Sequence, residues 1–312
     1  MSNEIKYFDI AYNSIYDGDG IRVVVYFQGC NADCIWCHSP HSRLKTSPLL
    51  FNEEKCINCG LCEQVCEKGV HMVKENLHVL NRENCNYCGK CVLACPMTYD
   101  FLDIGVLSLP TKKTNVKELF DKLSPHLKLV KNTGGITLGG GEALLQSKAC
   151  KELLTLSKSF GINTTVETSG LLEDEYYKDL EGLVDTFLFG MRFTTNYKEN
   201  DYTNRVYRSY EILSKYDSEV IPRIPIIRGH TDTNWYLEKS LEFLQKHNIK
   251  KIYINPFNEN IKHYYDLSGI EFKFESDKMS AVARGKILNY FKNNGFEIIN
   301  IKEFISEKNF SR

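Results

Sequence analysis

The order of apolar and polar positions predicts alternating strands and helices over most of the chain. Val23 to Phe27 is an unbroken apolar run rich in β-branched residues, as expected of a strand buried on both faces. From residue 114 onward, helical segments alternate with short strand-like ones. The predicted helices cover 117–130, 143–160, 171–180, 201–215, 233–247 and 278–293, and the predicted strands cover 135–138, 163–167, 185–189, 219–224, 251–255 and 296–301. Repeated βα units with short loops favour a parallel sheet or barrel.

A segment of different composition, residues 45–108, interrupts this pattern. The chain has 312 residues, enough for roughly two domains. We therefore predict a parallel sheet or barrel formed by residues 1–44 and 109–312, with an inserted domain at 45–108. Apolar residues make up 42% of the chain and charged residues 25%, which is typical of a soluble globular protein.

Charge and cysteine usage narrow the classes of function. The 39 Lys and Arg against 40 Asp and Glu give a net charge of −1, so no basic excess indicates nucleic acid or an anionic membrane as a partner. Residues 1–5 do not resemble a secretory signal, and no run of about 18 apolar residues could span a bilayer. Eleven of the twelve cysteines fall between Cys30 and Cys95, a clustering that indicates metal rather than disulfides. We expect a cytoplasmic, reducing location.

Three cysteines follow the first apolar strand directly, as Cys30-x3-Cys34-x2-Cys37. Three thiolates can hold three irons of a cubane [4Fe–4S] cluster and leave the fourth iron open for chemistry. The loop comes at the C-terminal end of its strand, where parallel α/β sheets and barrels place their active sites. A zinc site with a distant fourth ligand and a partial ferredoxin are the alternatives.

The 45–108 segment carries two similar cysteine runs, each of the form C-x2-C-x2-C-x3-C. This tandem is the pattern of bacterial two-cluster ferredoxins, in which the fourth cysteine of each run ligates the other cluster. The first cluster would be held by Cys56, Cys59, Cys62 and Cys95, and the second by Cys85, Cys88, Cys91 and Cys66. A pair of zinc sites is the alternative. With the first three cysteines, the sequence predicts three [4Fe–4S] clusters.

Around the first three cysteines, the chain resembles the glycyl radical enzyme activating enzymes of the radical S-adenosylmethionine (SAM) superfamily. Residues 17–22, Asp-Gly-Asp-Gly-Ile-Arg, are similar to the family's Asp-Gly-Pro-Gly-Ile-Arg, and residues 28–30 and 36–40 fit the flanks of its cysteine motif. The likeness extends over most of the chain. It points to a longer subtype than the activator of pyruvate formate-lyase, which lacks a two-cluster insert. The resemblance implies an α/β fold, a partial (β/α)6 radical SAM barrel with an inserted α+β ferredoxin domain of the bacterial 2[4Fe–4S] type.

The resemblance also implies residues that bind SAM. Gly139, Gly140, Gly141 and Glu142 leave a strand, where glycines permit close approach of the backbone and a carboxylate can accept hydrogen bonds from an ammonium. In the family this motif holds the amino group of SAM's methionine moiety, whereas a plain glycine-rich turn is the alternative. The other candidates for binding the cofactor are Trp36, Thr168, Arg192 and Arg223.

Several residues at this predicted site have two interpretations. Trp36 would lie near the adenine or would only shield the cluster. Arg223 would approach SAM or would form a structural ion pair at the barrel rim. We expect His38 and His41 to serve in hydrogen bonding or packing, and Cys150 to be a buried structural thiol.

The chain departs from the family at three further positions. Glu167 and Thr168 stand where the activator of pyruvate formate-lyase binds a monovalent cation, but Gly190 takes the place of a further Asp and Arg192 that of a Lys. Loss of that Asp removes one cation ligand and one SAM contact, which weighs against a monovalent cation. Asn258 takes the place of a family His.

The resemblance implies a SAM-dependent activating oxidoreductase. One electron from the reduced cluster would cleave the sulfonium C–S bond, and the 5′-deoxyadenosyl radical would take a hydrogen from a backbone glycine of a partner glycyl radical enzyme. We expect a monomer, with a flavodoxin or ferredoxin-type electron donor and no nucleic-acid or membrane partner. The insert would relay electrons, hold the partner loop, or both. The alternatives are a radical SAM enzyme with auxiliary clusters that modifies another peptide or a small molecule, and a non-catalytic electron carrier.

Overall fold

The apolar runs of the sequence become the strands of a nine-stranded sheet in a computed structural model that describes residues 3–98, 105–193, 199–257, 260–274 and 279–299. The strands are β1 (Glu4–Ser14), β2 (Ile21–Phe27), β3 (Leu50–Phe51), β4 (His71–Lys74), β5 (Leu77–Leu80), β6 (Leu107–Ser108), β7 (Lys112–Asn115), β8 (Gly134–Gly140), β9 (Asn163–Thr168), β10 (Thr186–Gly190), β11 (Glu219–Ile226), β12 (Lys251–Pro256) and β13 (Glu297–Ile298). The helices are α1 (Leu61–Gln64), α2 (Lys90–Ala94), α3 (Val116–Val130), α4 (Ser147–Ser159), α5 (Glu199–Leu213), α6 (Asn234–Lys246), α7 (Ile261–Ser268) and α8 (Ala281–Asn293).

The order of strands in the large sheet is β13-β12-β11-β10-β9-β8-β2-β1-β7. All pairs from β2 to β13 are parallel, whereas β1 is antiparallel to β2 and to β7. The two end strands, β7 and β13, do not pair with each other in the described part of the chain, so the barrel is open. The predicted partial (β/α)6 barrel is confirmed.

The core lies between the sheet and the helices that cover it. Val23 and Val25 of β2 are completely buried, as the unbroken apolar run predicted. Helix α3 buries Leu119, Leu123 and Leu127, which are spaced four residues apart and therefore share one face. Burial of each such leucine side chain stabilises the fold by about 1.5–3 kcal/mol.

The arginine of the Asp-Gly-Asp-Gly-Ile-Arg segment holds three strands together. Arg22 is buried, and its guanidinium donates hydrogen bonds to Thr137 Oγ1 (3.1 Å) on β8 and to Asn163 Oδ1 (2.7 Å) and Thr165 Oγ1 (2.7 Å) on β9. Burial lowers its pKa to about 10. Since a buried guanidinium requires partners for its donors, the motif has a structural role in the barrel.

The observed elements differ from the predicted ones at several places in the described part of the chain. The helix predicted at 171–180 is wrong, because only a short 3-10 turn forms at Asp174–Tyr176 while Leu171, Tyr177 and Leu180 are buried from an irregular loop. Strand β1 was not predicted, since irregularities in its pairing with β2 break the alternation of its side chains. Helix α7 was also not predicted. The last strand, predicted at 296–301, is seen at Glu297–Ile298, and residues 300 and 301 lie outside the described residues.

The cysteine-rich insert has its own small core. Strands β3 and β6 pair with each other, β4 and β5 form a hairpin, and α1 and α2 carry cysteines. Its buried apolar side chains are Leu49, Phe51, Val70, Val106 and Leu107. Arg82 joins the insert to the barrel by donating to the carbonyl oxygen of Leu267 in α7 (3.0 Å). Within the described residues, no helix combines the length and the apolar composition that crossing a membrane requires.

Candidate functional site

The predicted site residues gather at one edge of the parallel sheet. The cysteine loop follows β2, Glu142 follows β8, Thr168 ends β9, Gly190 ends β10, and Arg223 lies near the end of β11. Because these strands are parallel, their C-terminal ends meet at the same edge.

The cysteine loop closes on itself through its backbone. The amide of Gly29 donates to the carbonyl of Ser42 (2.7 Å), and the amide of Cys30 donates to the carbonyl of Arg43 (3.1 Å). The amide nitrogen of the Gln28 side chain donates to two further carbonyls of the same segment, at 2.9 and 2.7 Å. These bonds fix the loop that presents the three cysteines.

The thiols of Cys30 and Cys37 are poorly suited to ionise alone. Burial, followed by the charge of Glu142, raises the pKa of Cys30 to about 12. Burial, followed by Cys34, raises the pKa of Cys37 to about 12. A cationic iron cluster would supply the charge that buried thiolates need, and a donor set of sulfur alone suits iron–sulfur or zinc. The three cysteines of this loop therefore fit an iron–sulfur cluster.

The glycine-rich end of β8 lies against this loop. A Cβ on Gly141 would come within 2.2 Å of the carbonyl oxygen of Gly29, and Gly140 has a φ of +103° that side chains rarely adopt. Two backbone hydrogen bonds hold the contact, from Gly141 to Phe27 (2.9 Å) and from Glu142 to Gly29 (2.8 Å). The glycines thus bring Glu142 next to the cysteines.

Glu142 has one satisfied carboxylate oxygen and one unsatisfied. Its side chain is buried, with 1% exposed, and burial raises its pKa. Oε2 accepts bonds from the amide (2.7 Å) and hydroxyl (2.7 Å) of Ser169 and from Thr168 Oγ1 (3.2 Å). Oε1 is buried and has no hydrogen-bond partner among the described residues. An orphaned buried acceptor is costly, so this oxygen is suited to receive an ammonium donor.

Arg192 lies over the end of β10. A Cβ on Gly190 would lie 3.2 Å from Cζ of Arg192 and 3.1 Å from the carbonyl oxygen of Thr168. The Nε of Arg192 is buried and has no hydrogen-bond partner within the described ranges. His38, directly after Cys37, is exposed, and the positive charges of Arg192 and Arg223 both act on its ring, which places the two arginines near the cysteine loop.

Arg223 and Trp36 make contacts within the protein. Arg223 forms an ion pair with Glu167, whose carboxylate lies over Gly139, and donates from Nε to Asn255 Oδ1 (3.3 Å). Trp36 is buried in an apolar cluster that contacts Cys34. Arg223 thus joins β11 to β9 and β12, and Trp36 packs beside a cysteine of the loop.

Two further residues considered in the sequence, Cys150 and His41, are buried in the structure. Cys150 is buried and donates its Sγ–H to the carbonyl of Ala143 (2.9 Å), as expected of a structural thiol. His41 is buried between the rings of Phe8 and Tyr264. Asn258 lies outside the described residues.

The cysteines of the insert approach one another crosswise. Cys56, Cys59 and Cys62 line one cavity together with Cys95 of the second run. Burial, and then the negative charge of the neighbouring Cys85, raise the pKa of Cys91 to about 11, and Cys66 contributes as well. Cys66, the fourth cysteine of the first run, therefore lies near the second run. Such proximity is what crosswise ligation of two clusters requires.

Sequence reasoning missed three polar residues in these sites. Ser169 donates two hydrogen bonds to Glu142, and its position directly after Glu167 and Thr168 was the available signal. His71 and His78 are buried on one face of the β4–β5 hairpin. The Nδ1 atom of His78 lies 3.4 Å from Cys56 Sγ. The only signal for these two was the alternation of side chains along two short strands.

Comparison with known proteins assigns the chain to a family. Residues 47–106 match the family described as a 4Fe-4S dicluster domain. The trans-4-hydroxy-L-proline dehydratase activating enzyme of Clostridioides difficile is 31% identical over 284 residues, covering 88% of this chain and 90% of that protein. The chain belongs to the glycyl radical enzyme activating enzymes. The predicted family is thereby confirmed.

Two further relatives of this activating enzyme agree with the assignment. The choline trimethylamine-lyase activating enzyme of Oleidesulfovibrio alaskensis is 29% identical over 283 residues, covering 86% of this chain and 89% of the relative. The pyruvate formate-lyase 2-activating enzyme of Escherichia coli is 27% identical over 271 residues, covering 85% and 81% respectively. The dicluster match spans both cysteine runs of the insert, so iron–sulfur clusters are the cofactors of this activating enzyme together with SAM.

Proposed function

We propose that this activating enzyme holds three [4Fe–4S] clusters and SAM, and that it generates a radical on a backbone glycine of a partner glycyl radical enzyme. The observation that carries the proposal is the buried, unpartnered Oε1 of Glu142 beside the cysteine loop. A non-catalytic electron carrier needs no such acceptor. The named relatives are activating enzymes for enzymes of several different reactions, which supports a protein partner.

Each residue at the sheet edge has a proposed role. Cys30, Cys34 and Cys37 ligate a cluster whose fourth iron stays open. Glu142 accepts hydrogen bonds from the ammonium of SAM, and the unpartnered Nε of Arg192 provides a buried donor for its carboxylate. When bound, the reduced cluster and SAM supply one electron and a sulfonium C–S bond, whose cleavage yields methionine and the 5′-deoxyadenosyl radical that takes the glycine hydrogen.

The other proposed roles concern Thr168, Trp36 and Arg223. Thr168 orients the Glu142 carboxylate through its 3.2 Å hydrogen bond. Trp36 shields the cluster through its contact with Cys34. Arg223 holds Glu167 against the glycine-rich end of β8, which keeps the SAM-facing backbone in place.

The partner and the domain organisation extend the proposal. We propose a barrel of residues 1–44 and 109–312, with a 2[4Fe–4S] insert at 45–108. The barrel is open between β7 and β13, which leaves a side through which a glycine loop could reach SAM. A flavodoxin or ferredoxin-type protein supplies the electron, and the activating enzyme acts as a monomer.

The test is anaerobic EPR spectroscopy of the reduced enzyme mixed with SAM and a glycyl radical enzyme encoded by a neighbouring gene. We expect a glycyl doublet that collapses when the partner's glycine is deuterated at Cα. Cys34→Ala should abolish the doublet, whereas Cys150→Ala, which alters a cysteine outside all three proposed clusters, should retain it. Abundant 5′-deoxyadenosine with a modified small molecule and no protein radical would instead establish the alternative, a radical SAM enzyme with another substrate.

A further inference from the structure

Two buried histidines form a pair beside the first cluster cavity of the insert, and His78 of this pair lines the cavity. His71 and His78 are 3% and 5% exposed. The Nδ1 atom of His78 is 3.4 Å from Cys56 Sγ, and its Nε2 is 3.0 Å from Nδ1 of His71. The ring of Phe51 packs edge-on against His78, with 4.5 Å between centroids, and holds its plane.

The contacts of this pair fix where the protons lie. Cys56 ligated to iron is a thiolate and can only accept, so Nδ1 of His78 must carry the proton that points to it. The Nε2 of a neutral His78 is then an acceptor, and it receives the N–H of His71 Nδ1. This leaves the Nε2 of His71 unprotonated, and that atom is buried without a partner among the described residues. The opposite tautomer of His78 would aim a lone pair at the Cys56 thiolate 3.4 Å away. In the chosen tautomer the Nε2 lone pair lies 3.7 Å from Cys62 Sγ, but it is taken up by the N–H of His71 at 3.0 Å.

We propose that His78, positioned by His71, donates a hydrogen bond to the Cys56 thiolate and raises the reduction potential of the first insert cluster above that of the second. Reduction adds one negative charge, which spreads onto the cluster sulfurs, and an N–H donor stabilises the reduced form more than the oxidised form. The inference rests on the proposed ligation of the first cluster by Cys56, but it does not depend on the identity of the substrate.

The second cluster has no comparable partner in the described part of the chain. The donors near its cysteine sulfurs are backbone amides, Tyr87 to Cys85 (3.4 Å) and Val70 to Cys66 (3.4 Å). The two cysteine runs are similar in sequence, so the histidine pair is a feature that makes the two clusters unequal. The first cluster is therefore the one that is reduced first within the insert.

A separate metal ion at Cys62, His71 and His78 is the competing explanation, because their ligand atoms lie within 4.8 Å of one another. Such an ion would take Cys62 from the cavity that it lines with Cys56, Cys59 and Cys95. The cluster explanation uses all four cysteines and both histidines, and we therefore favour it.

The test is an EPR-monitored redox titration of the full, reconstituted chain. In His78→Leu, we expect the reduced-to-oxidised ratio of one cluster to fall about ten-fold at a given potential, which is a shift of about −59 mV for one electron. His78→Gln keeps an N–H donor and should restore part of the shift. The signal that responds to added SAM identifies the cluster of the cysteine loop, and its midpoint should not move.

His71→Phe keeps the test decisive if His78→Leu fails to assemble its cluster. His71 contacts no cysteine sulfur at hydrogen-bonding distance in the described structure, and its loss should shift the same midpoint in the same direction. His126→Leu, on helix α3, is the matched control and should move none. Unchanged midpoints in His71→Phe or in a fully loaded His78→Leu would overturn the proposal, as would stoichiometric zinc that His78→Leu removes. Formation or loss of the glycyl radical is measured separately and reports on the proposed function alone.

Discussion

Replacing Glu142 by Gln tests the SAM site most directly. The substitution keeps the size of the side chain and lets one oxygen still accept from Ser169, whose amide and hydroxyl both lie 2.7 Å from Oε2. It removes the negative charge and places an amide nitrogen where Oε1 lies buried without a partner in the described structure. The new donor cannot accept from an ammonium, so the variant removes the proposed interaction without opening a cavity.

The magnitude follows from the loss of a charge-assisted hydrogen bond in a buried place. Such a bond is worth roughly 1.5–3 kcal/mol, and 1.36 kcal/mol corresponds to a ten-fold change, so the Kd for SAM should rise roughly 10- to 150-fold. The pH dependence has a defined sign. Burial raises the pKa of Glu142, so its charge is lost as pH falls through a value above the ordinary glutamate range. SAM affinity of the wild-type protein should weaken over that range, and the affinity of Glu142→Gln should not follow it.

The assay is anaerobic isothermal titration of SAM into reconstituted protein, with iron and sulfide measured on the same sample. Iron content should equal that of the wild type, because Glu142 is not a ligand. Glu173→Gln is the matched control, since Glu173 is an exposed carboxylate paired with Arg205, and it should bind SAM normally. An unchanged Kd in a fully loaded Glu142→Gln protein would refute the role and return the glycine-rich segment to a structural turn.

Further predictions concern the clusters and the stability of the insert. Cys34→Ala should lose about four of about twelve irons and all reductive cleavage of SAM, as measured by iron analysis and 5′-deoxyadenosine formation, whereas an iron content near four in the wild type would contradict three clusters. Cys95→Ala should lose one cluster of the insert and keep the SAM-responsive EPR signal. Arg82→Ala removes bonds to the carbonyls of Leu49 (2.9 Å) and Leu267 (3.0 Å). It should lower the unfolding free energy by roughly 1.5–3 kcal/mol per bond in denaturant titrations. No change would show that the bond within the insert to Leu49 and the bond to Leu267 of the barrel do not stabilise this region.

Local sequence patterns predicted the chemistry better than the packing around it. Two motifs can be recognised from a single short segment of sequence, because all of their residues lie in one loop. They are the spacing of Cys30, Cys34 and Cys37, and the glycines before Glu142. Alternation of strands and helices was likewise enough to predict a parallel sheet or barrel, since amphipathic periodicity and β-branched runs are local properties. The predicted helix at 171–180 failed. Tyr177 and Leu180 are three residues apart, as on one face of a helix, but the buried Leu171 lies six residues before Tyr177 and would fall on another face.

Contacts between distant segments could not be predicted in this way. Ser169 reaches Glu142 from the next strand, and Arg82 reaches Leu267 across 185 positions of sequence. His78 meets Cys56 only because the β4–β5 hairpin folds its inner face onto the cavity. Such partners depend on the register of strands and on tertiary packing, which periodicity does not encode.

Gly190 and Arg192 show why substitutions at a site should be interpreted together. Considered alone, Gly190 is a missing carboxylate and Arg192 is a changed cationic side chain, so each looks like the loss of a family feature. In the structure the guanidinium of Arg192 lies 3.2 Å from where a Cβ on Gly190 would be, close to the carbonyl oxygen of Thr168. An aspartate would crowd a side chain as large as arginine, whereas glycine leaves space for it. The two residues are therefore linked by space: Gly190 has no side chain to compete with the Arg192 guanidinium for the place beside the end of β10.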